Sequence, residues 1–517
     1  MTGTYSRIRI VFPFLFVFLF SCSSSRDFEL IPNDARVVVA LDFKNLALNA
    51  LSLDNLFSSS DSSVDKTQEN NKFDKTGIDF LRQGIAFQRA SVQGSERIYV
   101  VVPISDKDEF FEFIKSQDST AEKSKSYEIE WISTREMLFG FKEKTAVGVL
   151  DKYMSEDSKT KNYLKEILEL KQEDQLVKSN PRFKEMIEKS YDAGVWMDIG
   201  KLMESAAIPA TSMAIKPSGE ITGLLNFDDG KIVLEGDMYN SNPESLKYAR
   251  MFEKPIETSF LEKIPSAKPM ALIGARLDIP ILQKALTSFE QSKVFLDGLK
   301  NFGIEPNDLF AMLEGHLSIS ALGAPATGEL IPKISLQLAV KDKNKGEAIL
   351  RTLAAKGILV ETGPGIFAAP QMAGVEARLN ENLLEITNLP AGGKEFFSPK
   401  NVKDFPSGSS IMYMNFKEVA NAVPSGVNGR KEIDTFTNYW DSFIMSSTFE
   451  TESHSKFEIK VNTSKPDQNS FMTILDYYKE TKSKDVPAPD PMDPMQDPSA
   501  LNDIQMEDIN APVMKEE

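Results

Sequence analysis

Apolar positions along this chain fall into two rhythms. Many stretches alternate apolar and polar side chains with period two, the signature of a half-buried strand, and others repeat at three to four residues, the signature of a helix. Ile98 to Ile104 reads as an apolar strand, stops at Asp106-Lys107 and gives way to Phe110, Phe111 and Ile114 at helical spacing. Ile334 to Val340 does the same, stops at Asp342-Lys343, and is followed by Ala348, Ile349 and Leu350. The expected succession is a strand, a helix and a second helix, then strands joined by tight turns such as Asp229-Gly230.

These correspondences extend along the chain in order. Ile31-Pro32 leading to Asp42 parallels Ile264-Pro265 leading to Asp278, and Gly77-Ile78-Asp79 parallels Gly303-Ile304-Glu305. Val195 to Ile199 parallels Met412 to Phe416, and Ser241-Asn242-Pro243-Glu244 parallels Ser464-Lys465-Pro466-Asp467. Ordered matches with slowly drifting spacing predict an internal duplication. The expected fold is α+β: two tandem homologous halves, 28–257 and 258–480, each of largely antiparallel sheets packed with helices. Long loops are expected where polar residues cluster, at Ser58–Asn71 and Gly426–Lys431.

A short theme recurs at the strand-to-helix junctions. Asp42, Asp106, Asp198, Asp278, Asp342 and Asn415 each follow an apolar strand and open a helical pattern. Read as chemistry, they are carboxylates that could hold a cation or act as bases. Read as structure, they are helix caps, whose short side-chain oxygen accepts from the free first-turn amides. Asn415 keeps the oxygen and lacks the titratable group, and Pro280 suits a first helical turn. Capping is therefore the expected role of all six.

Composition narrows the function. A net charge of −17 argues against nucleic acid as partner, because phosphates need a basic face. One cysteine excludes a disulfide within the chain and a thiolate metal cluster, and two histidines leave little for imidazole chemistry. The ends are distinctive. Arg7 and Arg9 precede an apolar run from Ile10 to Phe20, and Leu19-Phe20-Ser21-Cys22 then resembles the lipobox of bacterial lipoproteins, with Phe20 bulkier than usual there. That resemblance implies a signal peptide over 1–21, acylation of Cys22, and a lipid-anchored tether over 22–27. Ser23 after the cysteine points to the outer membrane, facing the periplasm. Residues 481–517 are rich in Pro, Asp, Met and Glu, which cannot bury a core and predict a disordered acidic tail.

Motifs for catalysis are lacking: there is no P-loop, nucleophile elbow, zinc-protease helix or dinucleotide fingerprint. Asp228-Asp229-Gly230 lacks the spaced oxygens of a calcium loop and suits a hairpin. His316 has no second histidine or cysteine at ligand spacing, and His454, among Glu452, Ser453 and Lys456, is expected in an exposed turn. Trp131, Trp196 and Trp440 suggest sugar stacking or, more simply, core packing. No catalytic, cofactor or metal site is expected, and lipidation at Cys22 is the one modification.

The Ile31-Pro32-x-Asp34-Ala35 opening, the Val37–Asp42 strand and the stretch Asp192 to Asp198 resemble an uncharacterised family of Bacteroidota envelope lipoproteins, known as a domain of unknown function. The resemblance implies an envelope location and transfers no catalytic residue. The expected function is a non-enzymatic, lipid-anchored envelope protein that binds a ligand or protein partner. One alternative is a carrier of lipid or another hydrophobic ligand, using Phe110, Phe111, Phe139 and Phe141. Another is a carboxylate-dependent hydrolase, with acids converging in a pocket of one half.

Overall fold

The computed structural model describes residues 27–42, 44–46, 76–89, 97–150, 158–205, 218–290, 292–323, 332–372, 374–389, 395–424 and 429–483. The expected signal peptide over 1–21, Cys22, the expected loop at 58–71 and the expected tail from 484 onward lie outside them, whereas 481–483, expected in that tail, belong to the helix Ser470–Ser483.

The fold is α+β and its strands pair antiparallel throughout. The first ten are β1 (Ala35–Leu41), β2 (Gly84–Arg89), β3 (Ile98–Pro103), β4 (Glu122–Ser126), β5 (Ile129–Ser133), β6 (Met137–Lys142), β7 (Thr145–Leu150), β8 (Ala193–Asp198), β9 (Gly219–Asp228) and β10 (Lys231–Asn240). The others are β11 (Ala271–Arg276), β12 (Leu313–Gly323), β13 (Lys333–Val340), β14 (Val360–Gly363), β15 (Ile366–Ala368), β16 (Glu376–Leu379), β17 (Leu383–Thr387), β18 (Ser410–Asn415), β19 (Trp440–Thr451) and β20 (His454–Thr463).

Side by side, the first ten run β4-β5-β6-β7-β3-β2-β1-β8-β9-β10. The second ten run β14-β15-β16-β17-β13-β12-β11-β18-β19-β20, the same order with each number raised by ten. The two rows join where β10 pairs with β20, so one ladder crosses the whole molecule.

Alternation fills both faces of the first row. Tyr99 and Val101 of β3 point to a core with Trp131, Trp196, Phe183 and the helices Ser158–Leu168, Leu176–Ser179 and Pro181–Ile187. Val100 and Val102 point the other way, toward Phe110, Ile114 and Phe139. That second core is completed from the far end of the chain: Phe471 and Leu475, on the helix Ser470–Ser483, are buried in it. In return, the segment after β10 lies on the second row. The Asp278 amide donates to the Met251 carbonyl at 2.8 Å, and Tyr248 meets Phe289 edge-on at 5.3 Å. The second row has its own cores, around Phe260, Phe397 and Tyr413 and around Met312, Leu350 and Phe367. Among the described residues, no helix is long and apolar enough to cross a membrane.

Candidate functional site

The junction of β10 with β20 forms the floor of a cleft of about 390 Å³. Three cross-strand rows make this floor. The first is Tyr239, which lines the cleft, with Glu220 and His454 paired to it just beside the opening; Thr222, Asp237, Lys456 and Thr448 form the second; Leu224, Glu235, Glu458 and Ser446 the third. One wall is the helix Pro181–Ile187, begun by Pro181 and capped by Asn180, whose side-chain oxygen accepts from the Phe183 amide at 2.8 Å. Phe183 is buried beneath it, which leaves Arg182 and Glu185 to line the opening.

Electrostatics divides the cleft. Toward one end, His454 Nε2 meets Asp237 Oδ1 at 2.7 Å, and its ring stacks on Tyr239 with centroids 4.6 Å apart. The Arg182 guanidinium lies 3.9 Å from the centre of the Tyr239 ring and also pairs with Glu220. Burial, followed by the Asp237 charge, raises the Tyr239 phenol above its ordinary range. Toward the other end, Glu235 and Glu458 stand directly opposite each other, an arrangement of like charges that costs stability. Lys460 neutralises Glu458 at 2.9 Å, whereas the Glu235 side chain has no ion pair among the described residues. The cleft can thus hold a polar group that donates hydrogen bonds or carries positive charge.

The sheet's opposite face differs in character. Ile319, Ile273, Met412, Met445, Ile459 and Leu234 pair directly in that order across β12, β11, β18, β19, β20 and β10. Ile319 and Ile273 are about half exposed (51% and 48%), unusual for central strands.

The residues singled out in the sequence sit as follows. Asp42, Asp198, Asp278, Asp342 and Asn415 each accept, through the side-chain oxygen, from the amide three residues on, at 3.0 to 3.2 Å. Asp106 accepts from both the Asp108 and Glu109 amides. They are dispersed over six strand ends and do not converge. Asp229 and Gly230 turn the β9–β10 hairpin, with Gly230 at φ 71°.

His316 is buried, stacks on Phe260 and lies near Glu257 and Glu314, a grouping that could suggest a metal. Its Nε2 already accepts from the Glu257 amide at 3.3 Å, and Glu257 pairs with Arg276 at 2.9 Å. Those partners use the lone pair and the charge that a cation would need. His454 is not in an exposed turn: Glu452 and Ser453 make the turn, and His454 opens β20 at the cleft. Trp131, Trp196 and Trp440 are all buried, so none offers a face to a sugar. Phe110, Phe139 and Phe141 are buried core residues and Phe111 packs against that core. Glu235 and Glu458, which face each other across the seam, come from different rows.

No curated protein matches this chain. Among solved structures it is similar to crystal forms of a protein named TP0453. Form III is 10% identical with a TM-score of 0.29 over 44% of this chain and 88% of that one, and form IV is 10% identical with 0.27 over 41% and 79%. A likeness that loose carries no functional argument. The family model of a domain of unknown function, DUF4836, matches residues 28–319, more than half of the chain, and the protein belongs to that family.

Proposed function

We propose that this is a non-enzymatic, lipid-anchored protein of the cell envelope that binds a ligand or protein partner in the cleft floored by β10 and β20. The observation that carries the reading is Glu235, an unpaired carboxylate facing Glu458 on the floor of an open cleft. A donor or cationic group bound there gives Glu235 an ionic partner, as Lys460 does for Glu458. The lipobox-like Leu19 to Cys22 supports the anchor, and Ser23 supports an outer-membrane position facing the periplasm. Tandem duplication into halves 28–257 and 258–480 is part of the same proposal. Its support is the repeated strand order, together with register: setting Ile98 against Ile334 and stepping along the ladders sets Val195 against Met412 and Pro243 against Pro466, the pairs that sequence alone matches.

A second reading, carriage of lipid or another hydrophobic ligand, is favoured by the half-exposed row through Ile319 and Ile273. Native mass spectrometry of the full chain purified from a bacterial envelope separates the two. A bound species lost in Thr448→Trp, which fills the cleft, supports the first reading. One lost in Ile273→Asp and extractable into organic solvent supports the second. A clean unliganded mass, unchanged after incubation with envelope extract, sinks both as tight-binding functions.

A further inference from the structure

We propose that the turn Asp79–Gln83, led by Leu81 with Lys144 beside it, is a membrane-contact surface that rests against the lipid to which the chain is anchored. The inference rests on the reading of Cys22 as acylated and adds the face and the distance. Asp27 is 1% exposed. Its carboxylate pairs with the Arg82 guanidinium, at 3.0 Å for Nε, and accepts from the Thr145 hydroxyl at 3.1 Å. The chain is therefore locked at Asp27 onto the 79–83 turn and the β6–β7 hairpin.

Four residues, Ser23 to Arg26, separate that lock from Cys22. At about 3.5 Å per residue, the lipid-bearing cysteine stays within about 18 Å of Asp27 whatever path the segment takes. Twenty strands spaced about 4.8 Å apart make a ladder on the order of 90 Å long, so the anchor selects a small part of the surface. Leu81 projects from that part and is 70% exposed. Its turn is held firmly: Asp79 accepts from the Leu81 amide at 3.1 Å, and Arg82 Nη1 donates to the Lys144 carbonyl at 2.9 Å. An apolar tip beside an exposed lysine suits the boundary between headgroups and acyl chains.

The test uses the full lipidated chain in phosphatidylethanolamine–phosphatidylglycerol vesicles containing nitroxide lipids. An environment-sensitive fluorophore is placed on Leu81→Cys, on Lys144→Cys and, as a remote reference on the second row, on Met372→Cys. Acylation removes the only native thiol, so each label reports its own site. The expected result is loss of more than about half the fluorescence at 81 and 144 with none at 372. Equal quenching at all three sites, or none at 81 while the protein floats with the vesicles, overturns the contact. A protein that stays in the aqueous phase and takes label at Cys22 overturns the anchor itself, and the contact with it.

Discussion

Asp278 and Asn415 occupy equivalent helix starts with different chemistry, and the common factor is an oxygen aimed at an amide. Asp278→Asn is accordingly expected to leave stability nearly unchanged, while Asp278→Ala costs about 1 kcal/mol, both read by urea denaturation. A carboxylate that served a cation would reverse the first of these results. His316 makes a different prediction. Its Nε2 accepts a hydrogen bond, and burial, followed by the Arg276 charge, holds its pKa below the ordinary 6.5. A base whose folded pKa is depressed gives stability that is complete above the unfolded pKa and declines as pH falls toward the folded one. Unfolding free energy should therefore drop between about pH 6.5 and the acid side, by at most about 1.4 kcal/mol per pH unit from this group. In His316→Gln that part of the slope should vanish.

At the scale of elements, the seam is the feature that matters. Gly236 of β10 has no room for a side chain: a Cβ there would lie 2.3 Å from the Thr222 carbonyl oxygen and 2.4 Å from the Phe457 ring. Gly236→Ala should cost about 1–3 kcal/mol and loosen the cleft floor, measurable as faster amide exchange in β20. Local elements of this kind were legible in the sequence to different degrees. The helix starts and the Asp229-Gly230 hairpin depend on neighbours a few residues away, so spacing reveals them. The β10–β20 pairing joins strands more than two hundred residues apart, and nothing in the alternation of either strand names its partner. For the same reason His454 reads as a surface turn residue among polar neighbours, although its true neighbours, Asp237 and Tyr239, are across the seam. The cleft was invisible to the sequence because no single segment contains it.

At the scale of the whole molecule, the two rows are held together by exchange as well as by pairing. Phe471 is 3% exposed and lies 5.2 Å from Phe227, and the Asn469 side chain donates to the Phe227 carbonyl. Phe471→Ala should therefore destabilise the first row, by about 3–5 kcal/mol. Hydrogen exchange in β3 should rise although the substitution is near the opposite end of the chain. If β3 stays protected and only β19 and β20 loosen, the last helix is a local appendage and not part of the first core.

That borrowed helix sets an order on the birth of the protein. Phe471 and Leu475 are among the last described residues to be synthesised, or to emerge from any export channel, and the core of the first row has a gap until they arrive. A nascent chain cut short before them keeps Val100, Phe110 and Phe139 within reach of chaperones and proteases, however long it waits. Synthesis as far as Leu475 is in this way built into the folding of the first row, and a copy cut short before it is marked for disposal by its own unfinished interior.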